Sequence, residues 1–353
     1  MPSQPGLLDP WEVLLSGPRP DVVRVGLAVP LSGPLAMTAP SALDLAGLAA
    51  DEINAAGGVA GRAMELVGVD SGRAPDVVAT EAAALHRAGV FELLVGFHTS
   101  DVHRAVERAL PPGARYVFTP PHEGGARRPG VVRLGQSPLH QHAAALSWLV
   151  RHRRARRWVL LGTDYVWPRA VHRAARRALA EVGGDVVGEA LVPFGPTDPG
   201  PLLDLVLRSR ADAVLVSLVG RDLVAFNREF ARAGLDRSVV RLSGALEENG
   251  LYALGGDTTG ELYACMPSFA AAGDGTDEHQ LALQERHVRR SGPEAPVVCA
   301  YARGVYDGVR MAAALAAGRS PRSSRSTRSG RSTPLLARAE GLRFRALNGT
   351  SCA

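Results

Sequence analysis

Apolar runs and helically spaced apolar positions alternate along most of this chain. Residues 23–31 (VRVGLAVPL) form a short apolar strand that ends in the loop Ser32-Gly33-Pro34. From 40 to 56, Leu43, Leu45, Ala46, Ala49, Ala50 and Ile53 fall on one helical face, and Gly57-Gly58 supplies the stop. The same patterns predict strand 63–70, helix 75–88, strand 90–96, helix 101–109, and strands 115–119 and 131–135. The rhythm then restarts with helix 138–152, strand 157–163, helix 168–182, strand 185–193, helix 199–208, strand 212–218, helix 221–233 and strand 239–243. A last helix, 299–317, is expected to pack back on the first series. Strands alternating with helices in this way indicate βαβ units and parallel sheets. Two successive series predict an α/β fold with two doubly wound parallel-sheet lobes. Lobe 1 is expected over 21–137 plus 266–318 and lobe 2 over 138–265, with 319–353 as an atypical tail.

That tail changes the reading of charge. The chain of 353 residues carries a net charge of +5, and five arginines stand in the run RSPRSSRSTRSGRSTP at 319–334, so the remainder sums to zero. The basic face that duplex binding needs is therefore not expected, and no direct nucleic-acid partner is predicted. The run has too little apolar content to order itself, whereas 335–347 becomes apolar-periodic again. The chain contains no lysine, which excludes P-loop, Schiff-base and lysine-dependent kinase chemistry, each of which needs a fixed ammonium. The motifs HExxH, GxSxG, GxGxxG and CxxC are missing as well, so the chain does not read as an enzyme and no cofactor is expected. Cys265, Cys299 and Cys352 lie far apart and read as buried or incidental thiols. His140 and His142 are two apart and do not share a helix face, so metal binding is not expected. No apolar run reaches the roughly 18–20 residues of a membrane span. Residues 1–20 show no basic start followed by an apolar core, which gives a cytoplasmic expectation, or an extracytoplasmic one if the true start lies upstream.

Several segments together resemble one family. Val25–Pro34, then Asp51-Glu52-Ile53-Asn54-Ala55-Ala56-Gly57-Gly58-Val59-Ala60-Gly61-Arg62, is similar to the opening of the type I periplasmic binding proteins. Gly96–Ser100, Thr119–Gly125, Gly162–Arg169 and Ala245–Asn249 resemble the pocket loops of the urea and short-chain amide binders and of the amide-sensing regulator of amidase operons. The resemblance spans about 24–318. It implies two lobes joined by a hinge, a small polar ligand held between them, and closure as the signal. Two roles follow: a cytoplasmic sensor acting on an antiterminator-like regulatory protein, or the extracytoplasmic solute-binding component of an ABC permease for urea, amides or branched-chain amino acids. Pairing with a second copy in a homodimer is a further partnership left open.

By the same resemblance the ligand-binding residues are His98, Thr99, Ser100, Phe118, Thr119, Tyr165, Trp167 and Glu247. Ser100 has an alternative role as a helix N-cap, and His98 and Trp167 have alternative roles in packing. Phe118 stands where the amide-sensing relative carries tyrosine, and Thr119 could supply the missing hydroxyl. Tyr165 and Trp167, two apart on an extended loop, would face the same side. Glu247 is read as facing the ligand or the hinge, and Glu248 as solvated. Arg221-Asp222 reads as a solvated helix start, with a clamp on a polar ligand as the alternative. In the family, strands intervene between the helix matching 299–317 and an ending like Leu336–Leu347. Here the arginine–serine run stands in their place, and the sequence leads one to expect either that those strands are missing or that the run is a flexible tail binding an acidic partner.

Overall fold

The structure, a computed structural model, describes residues 6–195, 198–270, 277–319 and 334–347. Contacts divide it into two units, one drawn from Met1–Gly135 with Glu285–Arg331 and the other from Gln136–Gln284 with Ser332–Ala353.

The first unit opens with β1 (Leu7–Leu8) and a short helix α1 (Pro10–Ser16), capped by the Asp9 side chain. β2 (Val22–Val29) is buried along its whole length, as a central parallel strand with both faces covered must be. α2 (Ala39–Ala55), β3 (Ala63–Asp70), α3 (Pro75–Arg87), β4 (Leu93–Gly96), α4 (Ser100–Ala109), β5 (Arg115–Phe118) and β6 (Val131–Arg133) follow. The sheet order is β1-β3-β2-β4-β5-β6, and every pairing is parallel. Val78, Ala82, Val102 and Val106 of α3 and α4 close one core together with Phe91, Tyr116 and Phe118.

The second unit runs through α5 (Pro138–His152), β7 (Arg157–Thr163), α6 (Val166–Val182), β8 (Asp185–Val192), α7 (Gly200–Arg208), β9 (Ala213–Ser217), α8 (Gly220–Arg232), β10 (Val240–Ser243), α9 (Glu248–Leu254) and β11 (Leu262–Met266). α10 (Glu278–Ser291) begins among residues of this unit and ends in the first, where α11 (Ala300–Ala316) packs against α2 and β4. The chain then returns as β12 (Leu335–Glu340) and β13 (Arg343–Ala346). The second sheet has the order β13-β12-β11-β10-β9-β7-β8, with β12 and β13 antiparallel on an otherwise parallel sheet.

The two mostly parallel sheets with crossover helices are the α/β architecture expected from the sequence. The segment 335–346, grouped in the sequence with the atypical tail, forms two strands of the second sheet. These two strands are the family-like ending at Leu336–Leu347; the strands expected to be missing would precede it, where 320–333 lie outside the described residues. Leu336, Ala337, Ala339 and Phe344 are buried there, and Phe344 lies against Phe269 with ring centroids 4.9 Å apart. Residues 320–333 of the arginine–serine run, and Cys352, lie outside the described residues. Cys265 and Cys299 are buried. No helix among the described residues is long and apolar enough to cross a membrane.

Candidate functional site

Open parallel sheets present ligand crevices at the carboxyl ends of strands, where the strand order reverses. In the first sheet β2 has β3 on one side and β4 on the other, so the reversal lies between β2 and β4. In the second sheet β7 stands between β8 and β9, which puts the reversal there. Each reversal carries hydroxyl groups predicted or overlooked in the sequence.

In the first unit, β4 ends at Gly96 and the turn Phe97–Thr99 leads into α4. Thr99 is the N-cap and its side chain makes no capping bond; Ser100 is the first helical residue. The alternative reading of Ser100 as the N-cap is therefore not what the structure has. Its hydroxyl is buried and has no hydrogen-bond partner. A buried hydroxyl left unpaired costs about 1–3 kcal/mol, so its retention is informative. Beside it, the loops after β2 and β3 meet closely. Ser32 donates its backbone N–H and its hydroxyl to Asp70, and a methyl group on Gly72 would run into the Ser32 carbonyl.

His98 spends both ring nitrogens within the protein: Nδ1 is 3.1 Å from the Thr99 carbonyl and Nε2 is 3.0 Å from the Tyr116 hydroxyl. A carbonyl only accepts, so Nδ1 carries the proton and Tyr116 donates to Nε2. The Tyr116 oxygen then accepts from Nδ1–H of His103, 3.0 Å away. Burial pushes His98 down to about 4 and His103 down to about 2, so both imidazoles are neutral at pH 7. Phe118 stacks on His103 at 4.1 Å and is wholly buried in the core. The Thr119 hydroxyl donates to the Gly96 carbonyl, and its methyl faces Gly308. Of the first unit's predicted residues, Ser100 is the one left with an unused buried hydroxyl. Its neighbours Thr99, His98, Phe118 and Thr119 build the turn that holds it.

In the second unit Thr163 is the last residue of β7 and Ser217 the last of β9. Both hydroxyls are fully buried and unpaired. Ser268, two residues past β11, is buried with its hydroxyl unpaired too. None of the three was singled out from sequence; the legible sign was a hydroxyl residue closing an otherwise apolar strand. Trp167 is buried with its indole N–H unpaired, and sits in the first turn of α6 rather than on an extended loop. Tyr165 is extended and half-buried before it, and the two rings stack with centroids 6.5 Å apart. His142 lies 6.4 Å from Trp167 by ring centroids; its Nδ1 faces the Pro138 carbonyl and its Nε2 has no partner. Burial lowers His142 to about 4, which leaves Nε2 as an unused acceptor. Asp222, read as solvated, is instead half-buried and accepts from the backbone N–H of Gly195, 3.1 Å away.

The carboxylates after β10 differ from expectation. Glu247 caps α9 in extended backbone and is buried, within 3.5 Å of the Asn249 amide. Glu248, expected in solvent, is buried as well, because it begins α9 and turns inward to accept from the Ala270 N–H at 2.6 Å. Burial, reinforced by the charge of Glu247, pushes Glu248 up to about 8. A carboxyl that keeps its proton only when folded binds more protons in the native state between pH 4.5 and 8. Stability from this group is complete below pH 4.5 and is lost as pH rises toward 8. Glu248→Gln is expected to flatten that decline while keeping the acceptor for Ala270. Urea unfolding at several pH values across this window checks it; an undiminished slope in the variant would refute the assignment.

Among the described residues no group of three or more His, Cys, Asp or Glu is placed to hold a metal ion. The strand ends of the second unit carry the unpaired hydroxyls of Thr163, Ser217 and Ser268, the indole N–H of Trp167, the neutral imidazole of His142 and the buried carboxyls of Glu247 and Glu248.

Solved structures with this fold include a solute-binding protein of an ABC transporter from R. palustris in complex with benzoate. The TM-score is 0.75 at 15% identity, covering 94% of this chain and 96% of that one. The ABC transporter substrate-binding protein from Sphaerobacter thermophilus aligns with TM-score 0.72 and 21% identity, over 93% and 97% of the two chains. The branched-chain amino acid transporter substrate binding protein LivJ from Streptococcus pneumoniae, in complex with isoleucine, gives 0.72 at 16% identity over 92% and 99%. The family model described as periplasmic binding protein matches residues 22–350. With nearly the whole chain matched, and with buried hydroxyls waiting at the strand ends of both sheets, this protein belongs to the periplasmic binding protein family.

Proposed function

We propose that this chain is the solute-binding component of an ABC-type importer, which captures a small organic solute and presents it to a membrane permease without altering it. The observation that carries the reading is the set of unpaired, buried hydroxyls of Ser100, Thr163 and Ser217 at the carboxyl ends of parallel strands, in a chain of this family. Such groups recover their hydrogen bonds when a polar solute arrives. The first turns of α4, α6 and α8 follow these strands, and helix starts favour carboxylate or carbonyl oxygens. Glu247 offers an acceptor for an amino or hydroxyl group. A solute carrying both kinds of group fits best, which favours amino acids and hydroxylated aromatic carboxylates over urea or acetamide.

Periplasmic location and a permease partner belong to this reading. The sensor role with an antiterminator-like partner draws on the sequence resemblance alone. A thermal-shift panel with isoleucine, valine, benzoate, 4-hydroxybenzoate, urea and acetamide tests the reading, since a solute that binds only the folded state raises stability by mass action. One of the amino acids or aromatic carboxylates is expected to raise Tm by several degrees at about 100-fold over Kd. A panel in which only urea or acetamide raises Tm would favour the amide-sensor reading. No shift with any member, or chemical conversion of the bound solute, would overturn the proposal.

A further inference from the structure

We infer that the first unit holds a second ligand site, away from the strand ends, which takes a small solute with an aliphatic body and a zwitterionic head. A cavity of about 410 Å³ opens on the face of the first sheet that α2 covers. Its floor is Leu7, Leu27 and Leu66, on one face of the neighbouring strands β1, β2 and β3, with Leu43 of α2 opposite. Two glycines open the space. Gly68 pairs with Leu27 and puts no side chain on that face, and Gly47 puts none on α2.

The rim carries one acid and one base. Among the described residues nothing donates a hydrogen bond to the Asp44 carboxylate, and Nε2 of His287 lies 3.9 Å from it. Arg290 places Nε on Asp51 at 2.6 Å and Nη1 on the Asp44 carbonyl at 3.5 Å, which leaves Nη2 without a bond beside Gly47. His287 is fully buried, and neither ring nitrogen has a hydrogen-bond partner. An imidazole always bears at least one N–H, so a polar group stands unsatisfied behind the Asp44 wall. An ammonium on Asp44, a carboxylate on Nη2 of Arg290 and an alkyl chain over the leucines would match the acid, the base and the apolar floor of the cavity.

The site does not coincide with the strand-end hydroxyls. Leu7 is supplied by β1, which lies before the segment 22–350 matched by the family model. The inference is therefore independent of the proposed transport role.

Isothermal titration with L-norleucine, hexanoate and pentylamine is carried out on the Thr163→Val/Ser217→Ala protein, which weakens the strand ends, and the Asp44 and Leu43 variants in that background assign the remaining binding to this cavity. Norleucine is expected to bind, with each single-headed analogue at least tenfold weaker. Asp44→Asn is expected to weaken norleucine at least tenfold and to leave hexanoate unchanged, while Leu43→Phe, which fills the cavity, weakens all three. Absence of norleucine binding, or binding indifferent to both Asp44→Asn and Leu43→Phe in proteins with unchanged melts, would overturn the inference. Failure of the strand-end proposal would leave these outcomes as they are.

Discussion

Asp257→Ala is expected to remove about 3–5 kcal/mol from the stability of the second unit, because it strands a buried guanidinium. Arg241 lies on the central strand β10, wholly buried, with Nη2 on Asp257 at 2.7 Å and Nη1 on the Asn227 side chain at 3.2 Å. The guanidinium also sits 5.2 Å over the Phe230 ring. Asp257 accepts in turn from the backbone and hydroxyl of Thr259, and its own backbone pairs with Gly341 in the β12–β13 turn. One carboxylate thus links the sheet centre to the C-terminal hairpin. Chemical denaturation reads the loss directly, and thermal melting should fall by roughly 10 °C at about 2–4 °C per kcal/mol. Replacing both partners, as Arg241→Met with Asp257→Leu, is expected to recover most of the loss, since the cost lies in the uncompensated charge. A loss below about 1 kcal/mol in Asp257→Ala, the level of an exposed pair, would show that water reaches this pair.

The alternation of apolar strands with amphipathic helices made most of both sheets legible. β2, β4, β7 and β9 are short buried runs, and nothing but a parallel sheet accommodates so many in succession. The elements that escaped are those whose burial depends on partners distant in sequence. α10 reads as a polar stretch because its attachment to α2 is ionic: Arg286 binds Glu52 and Arg290 binds Asp51, pairings over two hundred residues apart in the chain. β12 and β13 show apolar alternation, but the arginine–serine run before them argued for a tail. Their antiparallel register against β11 is a tertiary fact that no local pattern carries.

Site residues divide in the same way. The resemblance named Ser100, Tyr165, Trp167 and Glu247, and the structure places Ser100, Tyr165 and Glu247 in the segments that follow β4, β7 and β10. What each side chain does there was not. Whether a hydroxyl caps its own helix or is left unpaired depends on one residue of register, and the structure gives the cap to Thr99. His98 was a pocket-wall residue by resemblance, with packing as its alternative; its nitrogens are committed to Thr99 and Tyr116, the latter eighteen positions away. Glu248 was assigned to solvent by extended alternation, but helix α9 starts at that residue, and this single change of backbone turns the side chain inward. Thr163 and Ser217 escaped notice because a lone hydroxyl in an apolar strand is ordinary until its lack of a partner is known.

That lack makes the strand-end hydroxyls separable from the rest of the structure by experiment. Thr163→Val and Ser217→Ala delete two buried polar groups that bond to nothing in the protein, so the unliganded melt is expected to stay level or rise. Valine is also well suited to the strand position that threonine leaves. Solute binding responds in the opposite sense. Each lost hydrogen bond costs roughly 1.4 kcal/mol, about tenfold in affinity, and the double variant about 100-fold, since β7 and β9 are adjacent and the proposed reading has one solute bond both hydroxyls. Ser100→Ala is expected to behave in the same way in the first unit, about tenfold weaker with an unchanged melt. Residues that merely pack would lose stability and affinity together. If Thr163→Val and Ser217→Ala lower the melt and leave the titration with the identified solute untouched, these hydroxyls serve the core, and the solute must be held elsewhere.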